Sequence, residues 1–281
     1  MRFAHIILTI LTLAFAPQLD LFGIPAQAAE TTADFESEPD LAGLLDATSA
    51  MTASKVLPGM TVGSADYPEY GIRIHVFDFE QDRFTLRAAQ QKAETGNFAA
   101  DLVEDGDVFA INGGYFERDI NGNLSSSGLL IIDGRTVAEV HERAGSGIIF
   151  ADTDKVGIAY RQELQERSQL RHAIQVGPVL VDPGGKKGIY KNVGGRFNRS
   201  AICLRDESFT AFVVEGGISL FQLADLLSLP RSDGGFGCDT AINLDGGPST
   251  QAVLQAGSAR REIVSGSLVH NALIVSKKPE R

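Results

Sequence analysis

Apolar and polar positions alternate strictly along much of this chain. In GIRIHVFDF, residues 71–79, Ile72, Ile74 and Val76 fall on one face and Arg73 and His75 on the other, the pattern of a half-buried strand. RFTLRAA follows the turn Glu80-Gln81-Asp82 and predicts the second arm of a hairpin. Further strands are predicted at DVFAIN, GLLIIDG, SGIIF, KVGIAY, AIQVGPVLV, RSAICL, FTAFVVE, TAINL, TQAVL and LVHNALIV, punctuated by Asp-Gly and Gly-Gly pairs. Two segments have helical spacing. GNFAADLVEDG precedes the strand that leads into Asn112. SLFQLADLLSLP places Leu220, Leu223, Ala224 and Leu227 on one face, with Ser219 and Gln222 as a capping box and Pro230 as the stop. Many strands and few helices, without regular alternation between them, predict an α+β domain on a large mixed or mainly antiparallel sheet rather than a doubly wound fold.

The ends of the chain modify this picture. Arg2, the apolar run Ile6–Ala16 and the small-residue site Ala26-Gln27-Ala28 read as a secretory signal cut near Ala28, the apolar run being short for a spanning helix, with a retained N-terminal anchor as the alternative. Residues 29–54 carry six acidic side chains (Glu30, Asp34, Glu36, Glu38, Asp40 and Asp46) and no Lys or Arg. They read as an acidic flexible leader with one weak helical turn near Leu41–Leu45. Residues 55–281 then form one domain. The reading is an exported, periplasmic or secreted protein with no membrane span after cleavage. The chain carries a net charge of −11, six of it in that leader, so nothing favours a nucleic-acid partner. Cys203 and Cys238 suit an oxidising compartment, and the residues leave open whether they form a disulfide or stay as two buried thiols.

Several kinds of chemistry are absent from the sequence. It has no G-x-S-x-G elbow, Walker loop, G-x-G-x-x-G or H-E-x-x-H, and its five histidines lack ligand spacing. What remains is a set of strand-end motifs: AINGGYF with Asn112, Gly113, Gly114 and Tyr115; IQVGPVLV with Gln175; NRSAICL with Arg199; VVEGGISLFQLADLL with Glu215; AINLDGGPST with Asn243, Asp245, Gly246, Gly247 and Ser249; and VHNALIV with Asn271. Each alone is compatible with an ordinary turn or a solvated charge. Together they place carboxylates at the ends of apolar strands, where burial raises a carboxyl pKa, beside glycines that let backbone N–H groups approach an anion. The dipole of the helix after Ser219 points to the same use. A carboxylate pair, an arginine and exposed amides suit a negatively charged sugar derivative. Asp245, Asn243 and Glu215 are also the oxygen donors that calcium or magnesium would accept, so a divalent-metal phosphodiesterase is an alternative, as is a non-catalytic envelope glycan-binding protein.

In this order, the motifs resemble the phosphodiester glycosidase domain family from about Val56 to Ser276. The family's last motif usually reads N-L-D-G-G-G-S. Here Pro248 stands at the third glycine and removes one backbone donor. The resemblance implies hydrolysis of a carbohydrate phosphodiester to free sugar and a phosphomonoester. It makes Asp245 the main catalytic carboxylate and Glu215 its candidate partner, with Arg199 and the amides of Gly113, Gly114, Gly246 and Gly247 holding the phosphate. Asn112, Asn243 and Ser249 would orient the sugar or the carboxylates, and Tyr115 or Phe116 would pack on the sugar ring.

Overall fold

The structure, a computed structural model, describes residues 39–152, 155–164, 169–264 and 266–279; the signal-like segment and residues 29–38 of the acidic leader lie outside them. Every ladder between the described strands is antiparallel. They build one eight-stranded sheet, two five-stranded sheets and a two-stranded ribbon. The fold is α+β, as expected, with α-helix confined to Leu41–Ser49 and Leu220–Ser228 among the described residues. No helix among them is long and apolar enough to cross a membrane.

The layers follow from which faces are apolar. In the strand Ile72–Glu80 of the large sheet, Ile72, Ile74 and Val76 pack with the two helices, while Phe77 and Phe79 face the five-stranded sheets. His75 is also inside. The strand is therefore covered on both sides, where the alternation alone indicated a half-buried one. Sheet-to-sheet contact is aromatic at its centre: the Phe77 and Phe109 ring centroids lie 4.5 Å apart, and Phe79 meets Phe84 and Phe109, with Phe209 beside it on the neighbouring strand of its own sheet. Such rings supply most of the buried area per residue in a core of this kind.

Three expectations change. The predicted hairpin between residues 71–79 and 83–89 is not a hairpin. Ile72–Glu80 pairs within the large sheet and Phe84–Gln90 pairs with Asn271–Lys277 in another, so the turn at residues 81–83 carries the chain between layers. The segment GNFAADLVEDG is only a 3₁₀ turn at Ala99–Leu102, because the Asp101 carboxylate caps the Phe98 N–H and Val103 resumes an extended conformation. Within the acidic segment, Leu41–Ser49 forms a helix that buries Leu44, and Thr52–Leu57 forms an edge strand, so folded structure begins before residue 55.

The helix Leu220–Ser228 matches its sequence signature. Ser219 Oγ accepts from the Gln222 N–H at 3.2 Å and Gln222 Oε1 accepts from the Ser219 N–H at 3.3 Å. Beneath it, Cys203 and Cys238 form a disulfide with Cα atoms 5.7 Å apart, tying the strand Phe197–Arg205 to the loop after the helix.

Candidate active site

The short strand Thr240–Asn243 runs down the large sheet between Phe197–Arg205 and Val179–Asp182, and all four residues are buried. It emerges at Asp245, and Gly247–Ser249 forms a 3₁₀ turn. The opening asparagine motif of the other layer meets this turn. The Asp245 N–H donates to Gly113 O at 3.0 Å, and Asn112 Nδ2 donates to Asp245 O at 2.7 Å. Asn112 Oδ1 accepts from Ser200 Oγ at 2.7 Å and from the Gln251 N–H at 3.1 Å. Fully buried, Asn112 thus fixes Asp245 through its backbone rather than facing a ligand.

The Asp245 carboxylate is half-buried. Its Oδ1 accepts from the Gly246 N–H at 2.9 Å and the Ser249 hydroxyl is a further partner, but burial outweighs both and raises the pKa above the usual carboxylate value. Tyr115 shares this environment. Its hydroxyl donates to Gly177 O, and burial followed by the nearby Asp245 charge raises its pKa, with Arg199 acting in the opposite direction. Asn243 Nδ2 donates to Gly177 O at 3.1 Å and to Leu244 O at 2.5 Å, leaving Asn243 Oδ1 buried without a hydrogen-bond partner among the described residues.

Arg199 completes the group. Its Nε donates to Ile218 O at 3.1 Å and its Nη2 to Gly195 O at 3.0 Å. Nη1 lies 3.8 Å from where a Cβ on Gly246 would sit, which puts the guanidinium beside the Asp245 turn. Burial lowers its pKa from the ordinary arginine value, and none of the ion pairs among the described residues involves it. A partly desolvated cation without a carboxylate partner is a site for an anion.

Other expected residues take different places. The Gly113 N–H donates to Asn271 O at 3.0 Å and the Gly114 N–H to Asn271 Oδ1 at 2.6 Å, so these amides are engaged within the protein and Asn271 is their support. The Gly246 N–H is spent on Asp245, and the Leu220 helix N-terminus is closed by its own capping box. Gln175 makes four hydrogen bonds to the backbone of Leu129, His141 and Gly145, which makes it a loop fastener. Glu215 Oε2 lies 2.7 Å from His75 Nε2, and His75 Nδ1 lies 3.3 Å from Arg261 Nη1. Arg73 adds a second charge beside Glu215. Burial lowers the His75 pKa, opposed by Glu215. The expected carboxylate partner of Asp245 thus belongs to a cluster of its own. Among the described residues, no three His, Cys, Asp or Glu side chains converge to hold a metal ion.

Two participants had little signal in the sequence. The Gly177 carbonyl, which orients Tyr115 and Asn243 together, is a backbone atom. Phe197 lies with its ring centroid 5.2 Å from the Arg199 guanidinium; an aromatic residue two positions before the arginine was the available cue. A depression of about 860 Å³ lies elsewhere, lined by Arg83, Lys155, Glu207 and Lys277 among others. Asn243 pairs with Ala201, whereas Glu207 follows Arg205, so this depression lies at the other end of the strand Phe197–Arg205 from Asp245.

A family model described as phosphodiester glycosidase matches residues 105–276, which include the whole Asp245 constellation. Among solved structures, the catalytic domain of zebrafish N-acetylglucosamine-1-phosphodiester alpha-N-acetylglucosaminidase, auto-inhibited by its pro-peptide, is 17% identical with a TM-score of 0.53, over 81% of this chain and 82% of that one. A hypothetical protein from Synechocystis is 14% identical with a TM-score of 0.54, over 81% of this chain and 64% of that one. At these identities the two likenesses speak for the fold alone. No curated protein sequence matches the chain.

Proposed function

The chain belongs to the phosphodiester glycosidase family, and on that premise we propose that it hydrolyses the glycosidic bond of a sugar-1-phosphodiester to free sugar and a phosphomonoester. One observation carries the reading: the turn that holds the half-buried Asp245 carboxylate, its pKa raised, is flanked at Gly246 by the partly desolvated Arg199 guanidinium, which has no ion pair among the described residues.

The chemistry divides between these two groups. A phosphodiester leaving from an anomeric carbon is already a good leaving group, so it needs charge stabilisation more than a strong acid. Arg199 receives that charge. Asp245 faces the anomeric carbon, stabilises its oxocarbenium character and takes a proton from the attacking water. Water oxygen joins the sugar as the C–O bond to phosphate breaks, and the proton held by Asp245 passes to the departing phosphate. Tyr115 and Asn243, aligned by Gly177 O, orient the sugar hydroxyls, and Ser249 holds the carboxylate. Glu215 lies outside this scheme. The N-terminal signal pattern and the Cys203–Cys238 disulfide support a periplasmic or secreted location.

The test is a panel of sugar-1-phosphodiesters incubated with the mature protein, with and without EDTA, and products identified by mass spectrometry. Free sugar and phosphomonoester are expected, and Asp245→Asn should abolish both. Sugar-1-phosphate as product would mean that the P–O bond is cut and would reject the proposal.

A further inference from the structure

The two helices do not cover their face of the large sheet to its end. Ile72, Ile74 and Val76 lie on this face, and so does Asp78, two positions further along the strand. The ladders set Thr61, Asp78, Thr210 and Cys203 in one row across it and Gly63, Val76 and Phe212 in the next. Past the helix ends, Met51 on one side and Arg231 and Phe236 on the other wall in a pocket of about 330 Å³ over these rows. Its floor is apolar. Val76, Cys203, Phe212 and Phe236 are buried, and the rings of Phe212 and Phe236 meet edge to face with centroids 4.6 Å apart. Three charged groups also line it, Asp78, Arg205 and Arg231. Asp78 Oδ1 accepts from Thr210 Oγ1 at 2.5 Å, and Arg205 Nη1 donates to Phe236 O at 2.9 Å. Among the described residues neither Asp78 nor Arg231 enters an ion pair, and Arg205 has only the exposed Asp206, 3.8 Å away.

We propose that this pocket binds a free α-amino acid with a large apolar side chain. The floor takes the side chain, the two guanidiniums take the α-carboxylate and Asp78 takes the α-ammonium. A fatty carboxylate would use the arginines but leave Asp78 facing its chain, and an apolar amine would do the reverse. A ligand with both charges beside an apolar body answers all three groups. The volume is at the small end of the roughly 300–1,000 Å³ typical of ligand sites, which is room for one small molecule. Arg205 lies at the far end of the strand Phe197–Arg205 from Arg199, roughly 20 Å away at about 3.3 Å per residue, so the pocket is separate from the Asp245 turn. It stands independently of the glycosidase reading.

Calorimetry on the mature protein with three probes decides the matter: phenylalanine, 3-phenylpropionate, which lacks the ammonium, and phenethylamine, which lacks the carboxylate. Phenylalanine should bind at least about tenfold more tightly than either analogue. Asp78→Asn should erase its advantage over 3-phenylpropionate while binding 3-phenylpropionate at least as well as wild type does, which also shows that the variant is folded. Arg231→Ala should weaken phenylalanine and 3-phenylpropionate by about threefold to tenfold and leave phenethylamine unchanged. Asp245→Asn should bind phenylalanine as wild type does, whether or not any phosphodiester is hydrolysed. No binding of phenylalanine up to about 10 mM would overturn the proposal. Equal affinity for the three probes would overturn it too, leaving an apolar hollow that reads no charge. So would a uniform loss for all three in Arg231→Ala, which would make that side chain a wall, or a loss of phenylalanine binding in Asp245→Asn, which would move the ligand to the other site.

Discussion

Asp245-Gly246-Gly247 and Glu215-Gly216-Gly217 are the same sequence device, a carboxylate at the end of an apolar strand followed by two glycines. The structure gives them different surroundings. Asp245 has a backbone N–H and a serine hydroxyl as partners and an arginine nearby with no ion pair to it. Glu215 is bound to a buried histidine, with Arg261 on the far side of that ring and Arg73 nearby. The first arrangement keeps a carboxylate under-solvated and available. The second compensates its charge with partners from two other strands. The motif specifies a strand end with room beside it, and the neighbouring strands decide what the carboxylate can do there.

The largest expected separation between the two is catalytic. Asp245→Asn should lower turnover by about 10³-fold or more, whereas Glu215→Gln should cost less than about tenfold, measured on the same phosphodiester. Equal losses would merge the two clusters into one active site. Next comes Arg199→Ala, which should raise KM and lower kcat/KM by about 10²-fold, with a smaller loss in Arg199→Lys because a cation remains without the planar fork.

The glycines should separate on stability. Gly216 has φ +84° and a Cβ there would lie 2.1 Å from Gly71 O, so Gly216→Ala forces a strained backbone against another backbone. A loss of about 3 kcal/mol or more is expected in denaturant unfolding. Gly247 has φ +57° with nothing within 4 Å of an added Cβ, so Gly247→Ala should cost only about 1 kcal/mol.

The smallest effect is in pH dependence, and its sign differs between the clusters. The Asp245 pKa is raised on folding. Between its ordinary value of 3.8 and the raised one the folded state holds the extra proton, so stability falls as pH rises through that window. Above the window, Asp245→Asn should be slightly more stable than wild type. The His75 pKa is lowered from 6.5, so the unfolded state holds the extra proton and stability falls as pH drops below 6.5. His270, lowered to about 4 by burial, adds to the same acid-side loss between pH 6.5 and about 4. Denaturant titrations of wild type and Asp245→Asn from pH 4 to 8 would show both slopes.

Much of the fold was legible because it rests on local chemistry. The capped helix at Leu220–Ser228 is specified by Ser219, Gln222 and a four-residue apolar stripe, and the strands by alternation or continuous apolar runs. Partner choice was not legible. Alternation tells which residues of 72–80 face inward, but it cannot tell that the next strand crosses to the other layer. The same limit governs the site. Asp245 and Arg199 stood out as candidates because each is a charged group beside an apolar run. Glu215 and Gln175 looked equivalent, yet their partners, His75 and the His141–Gly145 loop, come from distant strands or loops. The amides of Gly113 and Gly114 could be assigned only once Asn271 was seen beside them.

Asn112 has a temporal consequence. Its side chain joins Ser200, 88 positions away, and Asp245, 133 positions away, and these two lie in the opposite layer. A partly refolded molecule with one layer formed would hold the carboxylate without its anchor. Recovery of activity after dilution from denaturant should therefore lag behind the recovery of β-structure, and that delay would time the docking of the two layers.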